Sequence, residues 1–155
     1  MHDGLLPLSP LAGSHAVLVV DDVAIVRRLA TRLLSAAGYR IYEAASAREA
    51  IEVLELADGR LALVLVDALL PHVSGAELVR EIRRRWPGVP AVLMSAHPRD
   101  SLVHDGLLSR DEPFLAKPFS RDELLGTVND VLHAEWASKL RGNAEPPAGG
   151  RDGDQ

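Results

Sequence analysis

Short apolar runs alternate along the chain with segments whose apolar residues recur at helical spacing. This alternation is typical of repeated β-strand and α-helix units that build a parallel sheet. It predicts strands over residues 16–20, 40–44, 61–66, 90–94 and 114–116. Five such units indicate an α/β fold with a doubly wound, five-stranded parallel sheet of order 2-1-3-4-5 and helices on both of its faces.

The predicted helices carry their own start and stop signals. Ser46, Ser74 and Ser120 each precede a glutamate by three residues, which is the spacing of an N-terminal capping box. Gly38 is a natural C-terminal stop for the first helix. Residues 97–112 are polar, interrupted by glycine and short of apolar repeats, so we expect only a short or frayed fourth helix there.

The length of the chain accommodates one domain with a tail at each end. Residues 1–15 lack a basic start and an unbroken apolar stretch, so we expect a disordered lead-in and not a signal peptide. The folded domain is expected over residues 16–138. Residues 139–155 form the second tail, whose glycine, proline and acidic residues are typical of disorder. No apolar stretch approaches the length of a membrane span.

Composition excludes several kinds of function. The net charge of −5 disfavours general binding to nucleic acid through its phosphates. The absence of cysteine excludes disulfides and cysteine-based metal sites and fits a cytoplasmic protein. Arginines cluster at residues 27–28 and 83–85 on predicted helices, where we favour a solvated face over the alternative of a patch that docks a partner.

Polar residues follow four of the predicted strands: Asp21 with Asp22, then Asp67, Ser95 and Lys117. The carboxyl ends of parallel strands share one edge of a sheet, and ligands bind where the winding reverses, between the first and third strands. Three crowded carboxylates repel one another unless a cation joins them, and Mg²⁺ prefers such oxygen ligands. The set therefore predicts Mg²⁺-dependent phosphoryl transfer, with Asp67 as the nucleophile.

The remaining residues of the set have complementary roles in this interpretation. Asp21 and Asp22 hold the metal, and a backbone carbonyl near Leu69 completes its ligands. Lys117 reaches a phosphoryl oxygen with its ammonium group, and Ser95 donates a hydrogen bond to another. Taken singly, each residue has an ordinary explanation, such as a helix cap for Asp22. Four such residues at successive strand ends favour a site.

Four segments that contain these polar residues resemble the receiver domain of two-component response regulators. The matching segments are VLVVDD (17–22), LVLVDALLPHVSG (63–75), VLMSAH (92–97) and PFLAKPFS (113–120). The resemblance covers about residues 16–134 and implies a flavodoxin-like fold. It implies that a histidine kinase, a phosphotransfer protein or a small phosphodonor phosphorylates Asp67. The chain would then be no enzyme in the usual sense, since it would catalyse only its own phosphorylation and dephosphorylation.

The resemblance also implies roles for single residues. Asp22 and Asp67 would hold Mg²⁺, with Asp21 assisting directly or through water. Ser95 would be the switch hydroxyl and Phe114 the switch aromatic, so that phosphorylation draws Ser95 inward and Phe114 fills the space. Lys117 would take the place of the lysine in the family's site. The bond from this lysine to the next residue, a proline, is implied to be cis, and the glycine at position 75 is implied to end the loop after Asp67.

Several positions depart from the family pattern. Leu70 replaces the usual methionine, and Val23 stands where an acidic residue is frequent, which points to weaker metal binding. The segment between Ser95 and Lys117 lacks the usual alanine- and glycine-rich fourth helix. Together with PFLAKPFS, this segment makes the chain more similar to receivers attached to hybrid kinases than to those of DNA-binding regulators.

Two functions from different classes remain open. The first is a stand-alone receiver, a monomer or weak homodimer whose phosphorylation switches binding to an unknown partner; the alternative is a phosphorylation-independent interaction module on the same fold. A phosphatase would need a second acid where Leu69 stands, and a flavin phosphate would be repelled by Asp21 and Asp22. His97, two residues after Ser95, either tunes hydrolysis of the acyl phosphate or, as we favour, is an ordinary loop residue.

Overall fold

A computed structural model describes residues 15–144, without the side chains of residues 139 and 142–144. Its strands are β1 (Ala16–Val20), β2 (Arg40–Ala44), β3 (Leu63–Asp67), β4 (Ala91–Ser95) and β5 (Phe114–Ala116). All neighbouring pairs are parallel. The sheet has the order β2-β1-β3-β4-β5, which confirms the doubly wound fold predicted from the alternation of apolar runs and helical segments.

Helices cover both faces of this sheet. They are α1 (Ala24–Ala36), α2 (Ala47–Ala57), α3 (Gly75–Arg85), α4 (Arg99–His104) and α5 (Arg121–Ala144). Because side chains alternate along a strand, Leu18 and Val20 of β1 belong to a core cluster that also contains α2 and α3 residues. Val17 and Val19 belong to a second cluster with α1 and α5 residues. Burial on both faces explains why the central strands are apolar throughout.

Two of the three predicted capping boxes are complete. In the first, the Ser74 hydroxyl accepts a hydrogen bond from the Glu77 N–H (3.1 Å) and the Glu77 carboxylate accepts one from the Ser74 N–H (3.2 Å). Ser120 and Glu123 exchange the same two bonds at 3.0 and 2.8 Å. These boxes satisfy backbone donors that the first turn of a helix leaves unpaired.

The predicted box at Ser46 is wrong in one of its two bonds. The Ser46 hydroxyl accepts the Glu49 N–H (3.2 Å) as predicted, but the Glu49 carboxylate accepts the N–H of Ala45 (2.8 Å) instead of that of Ser46. Ser46 is more extended (φ −155°) than Ser74 (φ −68°), so the two caps present different backbone N–H groups to the glutamate. The start of α2 is nevertheless capped at the predicted residue.

The first helix ends as its glycine predicts. Gly38 has a φ of 103°, in the left-handed region that favours glycine. Its N–H donates to the Ser35 carbonyl (3.0 Å), and the Tyr39 N–H donates to the Leu34 carbonyl (3.1 Å). These two bonds form a Schellman motif, which pairs carbonyls that the end of a helix would otherwise leave free.

The fourth and fifth helices differ most in length from the other three. α4 is short, six residues, as the polar, glycine-interrupted segment predicted. α5 continues to Ala144, so its last residues lie in the region expected to be the disordered tail from residue 139. The rest of both expected tails, residues 1–14 and 145–155, lies outside the described residues. No helix within residues 15–144 combines the length and the apolar character that crossing a bilayer requires.

Candidate functional site

The carboxyl edge of the sheet brings three acidic residues together. Asp21 follows β1, Asp22 comes next, and Asp67 is the last residue of β3, the strand that pairs with β1. One carboxylate oxygen from each of the three lies within 4.8 Å of the other two. Asp21 and Asp67 are buried whereas Asp22 is exposed, so the cluster opens to solvent on the Asp22 side.

Lys117, just after β5, reaches this acidic cluster. Its ammonium nitrogen lies 2.6 Å from Asp21 Oδ2 and 3.4 Å from Asp67 Oδ2. The backbone N–H of Lys117 donates to the Ser95 carbonyl (2.9 Å), which connects the end of β5 to β4. The peptide bond between Lys117 and Pro118 is cis, as the resemblance implied. Three carboxylates facing one ammonium group leave two negative charges uncompensated among these four side chains, which suits a divalent cation.

The environment of Asp67 has opposing effects on its protonation. Burial raises the pKa of Asp67 most; the Leu69 N–H, which donates to Asp67 Oδ1 (3.2 Å), lowers it. The negative charge of Asp21 raises it further, and Lys117 lowers it. The balance leaves the Asp67 pKa above its ordinary value of 3.8. A cation bound among the carboxylates would oppose this rise, because it favours the ionised form.

Asp21 differs from Asp22 in how much of its carboxylate is already bound. Asp21 Oδ1 accepts the Val23 N–H (2.9 Å), and Asp21 Oδ2 accepts from Lys117 (2.6 Å). Both oxygens of this fully buried side chain therefore have a protein donor. The exposed Asp22 carboxylate therefore has more freedom than that of Asp21 to bind a cation directly.

Arg27 contributes to the site, contrary to the sequence interpretation that placed it on a solvated helix face. Its side chain is 15% exposed. It donates to the Asp21 carbonyl (2.7 Å) and to the Glu43 carboxylate of β2 (2.9 Å), so it fastens the β1–α1 loop to the neighbouring strand. No pattern near Arg27 indicates this role, because Glu43 comes close only when β1 and β2 pair.

The three arginines of the second cluster are exposed, as expected for a solvated face, and each pairs with an acidic side chain. Arg84 pairs with Glu81 of its own helix (2.8 Å). Arg83 instead pairs with Glu112 in the loop before β5 (2.6 Å), and Arg85 pairs with Glu55 of α2 (2.7 Å). The last two pairs connect α3 to its neighbours.

Ser95 and Phe114 lie on adjacent strands at the same face of the sheet. Ser95 is buried and ends β4, and Leu93, two residues earlier, is the register partner of Phe114. The Ser95 hydroxyl accepts the backbone N–H of His97 (2.9 Å), whose own side chain is exposed. The Phe114 ring is half-buried, with the Arg99 guanidinium 5.4 Å from its centroid.

The loop after Asp67 is held by close backbone packing. Gly75 donates its N–H to the Ala68 carbonyl (2.9 Å), and a Cβ there would collide with the Asp67 carbonyl and come within 2.8 Å of the Ala68 Cα. Close approach, and not a positive φ, is why glycine is needed at this position. In the same loop His72 has a φ of 71°, which is uncommon for a residue other than glycine.

The model of the response regulator receiver domain family matches residues 17–129. The chain belongs to this family. Receiver domains are signalling modules of two-component systems that generally lack an independent enzymatic activity. They bind Mg²⁺ at an acidic pocket and interact with histidine kinases or phosphotransfer proteins. In this chain Asp21, Asp22 and Asp67 form a cluster of acidic residues with the oxygen ligands that a metal ion requires.

Relatives of this receiver domain occur in longer bacterial proteins. It is 34% identical over 125 residues to the sensor kinase CckA of Brucella abortus, covering 81% of this chain and 13% of the kinase. It is 32% identical over 118 residues to the phosphate regulon transcriptional regulatory protein PhoB of Pseudomonas aeruginosa, covering 75% of this chain and 51% of that protein. The chain thus spans only about an eighth to a half of these curated relatives.

Solved structures share the fold of this receiver domain. The signal receiver domain of a putative LuxO repressor from Vibrio parahaemolyticus has a TM-score of 0.71 and 25% identity, covering 82% of this chain and 96% of that one. CheY from Borrelia burgdorferi, solved as a CheX–CheY–BeF₃–Mg²⁺ complex, has a TM-score of 0.67 and 25% identity, covering 76% and 88%. These similarities confirm the flavodoxin-like architecture expected from the sequence.

Proposed function

We propose that this receiver domain accepts a phosphoryl group on Asp67 in a Mg²⁺-dependent reaction, and that phosphorylation changes its binding to a partner protein. One observation carries the proposal: the Lys117 ammonium lies 2.6 Å from Asp21 and 3.4 Å from Asp67, beside three clustered carboxylates. This arrangement offers a nucleophile, a cation site and a positive charge for a phosphoryl oxygen in one place.

The residues around Asp67 fit a magnesium ion. Asp22 and Asp67 would hold Mg²⁺ directly, Asp21 would assist through water, and the Leu69 backbone carbonyl would complete the protein ligands. When bound, Mg²⁺ would neutralise negative charge on the oxygens of the transferring phosphoryl group. The Borrelia CheY solved with Mg²⁺ and BeF₃ is in keeping with this proposal.

The transfer itself needs little more than position and charge. An ionised Asp67 oxygen attacks the phosphorus of a phosphohistidine, and the phosphorus–nitrogen bond breaks. The leaving imidazole keeps the electron pair and takes a proton from solvent, while Asp67 becomes an acyl phosphate. Lys117 then pairs with a phosphoryl oxygen in addition to Asp21, since its ammonium group has three donors.

Ser95 and Phe114 are the proposed switch. The Ser95 hydroxyl would donate to a phosphoryl oxygen, and the change in its position would open space for Phe114 on the same face of the sheet. Phe114 would then leave the Arg99 guanidinium that now lies over its ring. If Ser95→Ala leaves the phosphorylation-induced changes in the Phe114 ring NMR signals unaltered, this coupling is wrong.

The rim of the site offers a surface for the phosphodonor. Val23, Ile25 and Leu29, at the start of α1, are 47%, 77% and 45% exposed, and Leu69 beside Asp67 is 58% exposed. A histidine kinase or phosphotransfer protein must bring its phosphohistidine to Asp67, so it would contact this apolar rim. Ile25→Ser should slow transfer from a phosphorylated histidine protein and leave labelling by acetyl phosphate unchanged.

The decisive experiment is the intact mass of the protein after incubation with acetyl phosphate, with and without Mg²⁺. We expect one phosphoryl adduct that requires Mg²⁺, is absent in Asp67→Asn, and forms more slowly in Asp22→Asn. Magnesium binding is measured in parallel by calorimetry. No adduct together with no Mg²⁺ binding would contradict the proposal and favour the phosphorylation-independent interaction module.

A further inference from the structure

A groove of about 570 Å³ opens at the end of the sheet opposite Asp67. It lies where β1, β3 and β4 begin, between the α3–β4 loop and α5. Both tryptophans of the chain, Trp86 and Trp136, line it together with Pro87 and Pro90. The groove adjoins a second cavity of about 640 Å³ that shares the two prolines. The site around Asp67 uses none of these residues.

The groove is a preformed aromatic surface. The Arg85 guanidinium lies 4.5 Å from the centre of the Trp86 ring and is itself held by Glu55 (2.7 Å). Gly59 packs so closely against Trp86 that a Cβ there would come within 2.5 Å of the Trp86 Cδ1. Trp136, by contrast, is 41% exposed on α5. One aromatic ring is therefore fixed and the other is available to a ligand.

We propose that this groove is the docking site of the chain's own N-terminal segment, residues 5–11. The segment reads Leu-Leu-Pro-Leu-Ser-Pro-Leu, with four leucines, no charge and two prolines at the spacing P-x-x-P. Segments with this spacing favour the polyproline II conformation and dock in grooves lined by aromatic side chains. Docking of such a segment is favourable when the apolar surface it buries offsets the entropy lost on ordering it.

The position of His15 supports this choice of occupant, because the chain reaches residues 5–11 from the groove itself. His15 is the first described residue, it lines the groove, and its carbonyl accepts the Arg40 N–H (3.0 Å). The chain therefore leaves the sheet at a fixed point on the groove. Leu11 is four residues away, which is about 12 Å at polyproline II spacing. So short a connection gives the segment an effective concentration on the order of millimolar.

The other tail is a poorer occupant. Residues 145–155 contain no leucine, aromatic or β-branched residue, and Glu145, Arg151, Asp152 and Asp154 are charged. Such a segment has little apolar surface to offer two tryptophans. The inference does not rest on phosphorylation of Asp67, because the groove and the acidic cluster occupy opposite ends of the sheet.

Tryptophan fluorescence of the full chain tests the proposal directly, since both tryptophans line the groove. Serine at Leu5, Leu6, Leu8 and Leu11 together should shift the emission to longer wavelength and raise acrylamide quenching by about twofold, because docking hides much of a ligand-facing surface. The matched control is serine at Pro146 and Pro147 in the other tail, which should change neither value. An unchanged emission and quenching in the leucine variant overturns the proposal.

A second measurement uses the absence of cysteine from the chain. A nitroxide on Leu8→Cys should quench the tryptophan emission strongly, and adding serine at Leu5, Leu6 and Leu11 should remove most of this quenching. Quenching that persists on hundredfold dilution supports docking within one chain. Quenching that is lost on dilution, or that is equal in both labelled proteins, contradicts it; the first of these would assign the groove to a second copy.

Discussion

At the scale of single residues, Lys117 and Asp21 form an ion pair at the edge of the acidic cluster. The Asp21 side chain is fully buried and that of Lys117 is 14% exposed, with 2.6 Å between the charged atoms. An ion pair of this kind adds little net stability compared with apolar residues, but loss of one partner leaves a buried charge uncompensated. The acidic site therefore depends on Lys117 even without a bound phosphoryl group.

Lys117→Met should lower the free energy of unfolding by about 3 kcal/mol, because Asp21 then lacks its partner in a buried position. Urea unfolding at neutral pH measures this loss. Adding Asp21→Asn to the same protein should recover most of it, since the amide carries no charge. Equal stability of the single and double variants would show that the loss does not come from an uncompensated charge on Asp21.

Gly75 and Gly126 provide a matched pair of substitutions. Both lie in helices, where alanine ordinarily stabilises by about 0.5–1 kcal/mol over glycine. Gly126→Ala should show this gain, because nothing lies within 4 Å of its added Cβ. Gly75→Ala should instead destabilise by about 2 kcal/mol, because its Cβ meets the Asp67 backbone. Thermal unfolding compares the two, and a gain at both positions would contradict the close packing.

At the scale of elements, hydrogen bonds and an ion pair hold the loop between α4 and β5 against α3 and α4. Glu112 in this loop accepts from the Ser109 N–H (2.7 Å) and pairs with Arg83 of α3 (2.6 Å). Arg99 of α4 donates to the carbonyls of Arg110 (3.1 Å) and Glu112 (2.8 Å). These bonds fix the segment that leads into Phe114, where the proposed switch lies.

Glu112 makes this anchoring dependent on pH. Burial raises its pKa, but the Ser109 N–H and Arg83 together outweigh burial, so the pKa lies below the ordinary 4.5. The ionised form is favoured in the folded state, so its contribution is present above about pH 4.5 and is lost as pH falls through the lowered value.

Glu112→Gln should accordingly cost about 1 kcal/mol near neutral pH, because the amide keeps an acceptor for Ser109 but loses the charge facing Arg83. Below the ordinary pKa of 4.5 the difference from the natural protein should shrink. Urea unfolding of both proteins across this range measures the difference. A gap that stays constant at acid pH would assign the effect to packing and not to charge.

At the scale of the whole molecule, the fold holds three carboxylates close together although their negative charges repel one another. Pairing of β1 with β3 brings Asp67 close to Asp21 and Asp22, although it is distant from them in the chain, and unfolding separates it from them again. A cation that binds only the folded arrangement must therefore stabilise it. The stabilisation should follow the occupancy of the site and not the ionic strength alone.

Magnesium at ten times its dissociation constant should raise the free energy of unfolding by about 1.4 kcal/mol, which is the value for one site that only the folded state offers. Thermal unfolding with MgCl₂ measures the shift, with KCl at matched ionic strength as the control. Asp22→Asn should remove most of the shift, because its carboxylate is proposed as a direct ligand. An equal shift in KCl would show general screening of the carboxylates.

The sequence by itself determined the sheet order, the helix starts and the edge on which the polar residues gather. These features follow from local periodicity, from serine and glutamate spacing and from the common direction of parallel strands, so they are readable along the chain. The shortness of α4 is also readable from the sequence, because a polar, glycine-interrupted segment cannot supply the apolar face that a longer helix would bury.

Tertiary structure alone decided the features that depend on partners distant in the chain. Arg27 joins the site only because pairing of β1 with β2 brings Glu43 beside it. Gly75 is required by the Asp67 backbone and not by its own φ. Trp86 and Trp136, fifty residues apart in the numbering, line one groove only because the loop after α3 and the middle of α5 meet at the edge of the sheet where the strands begin. Such contacts have no signature in local periodicity, since each is made by the packing of elements that the chain visits separately.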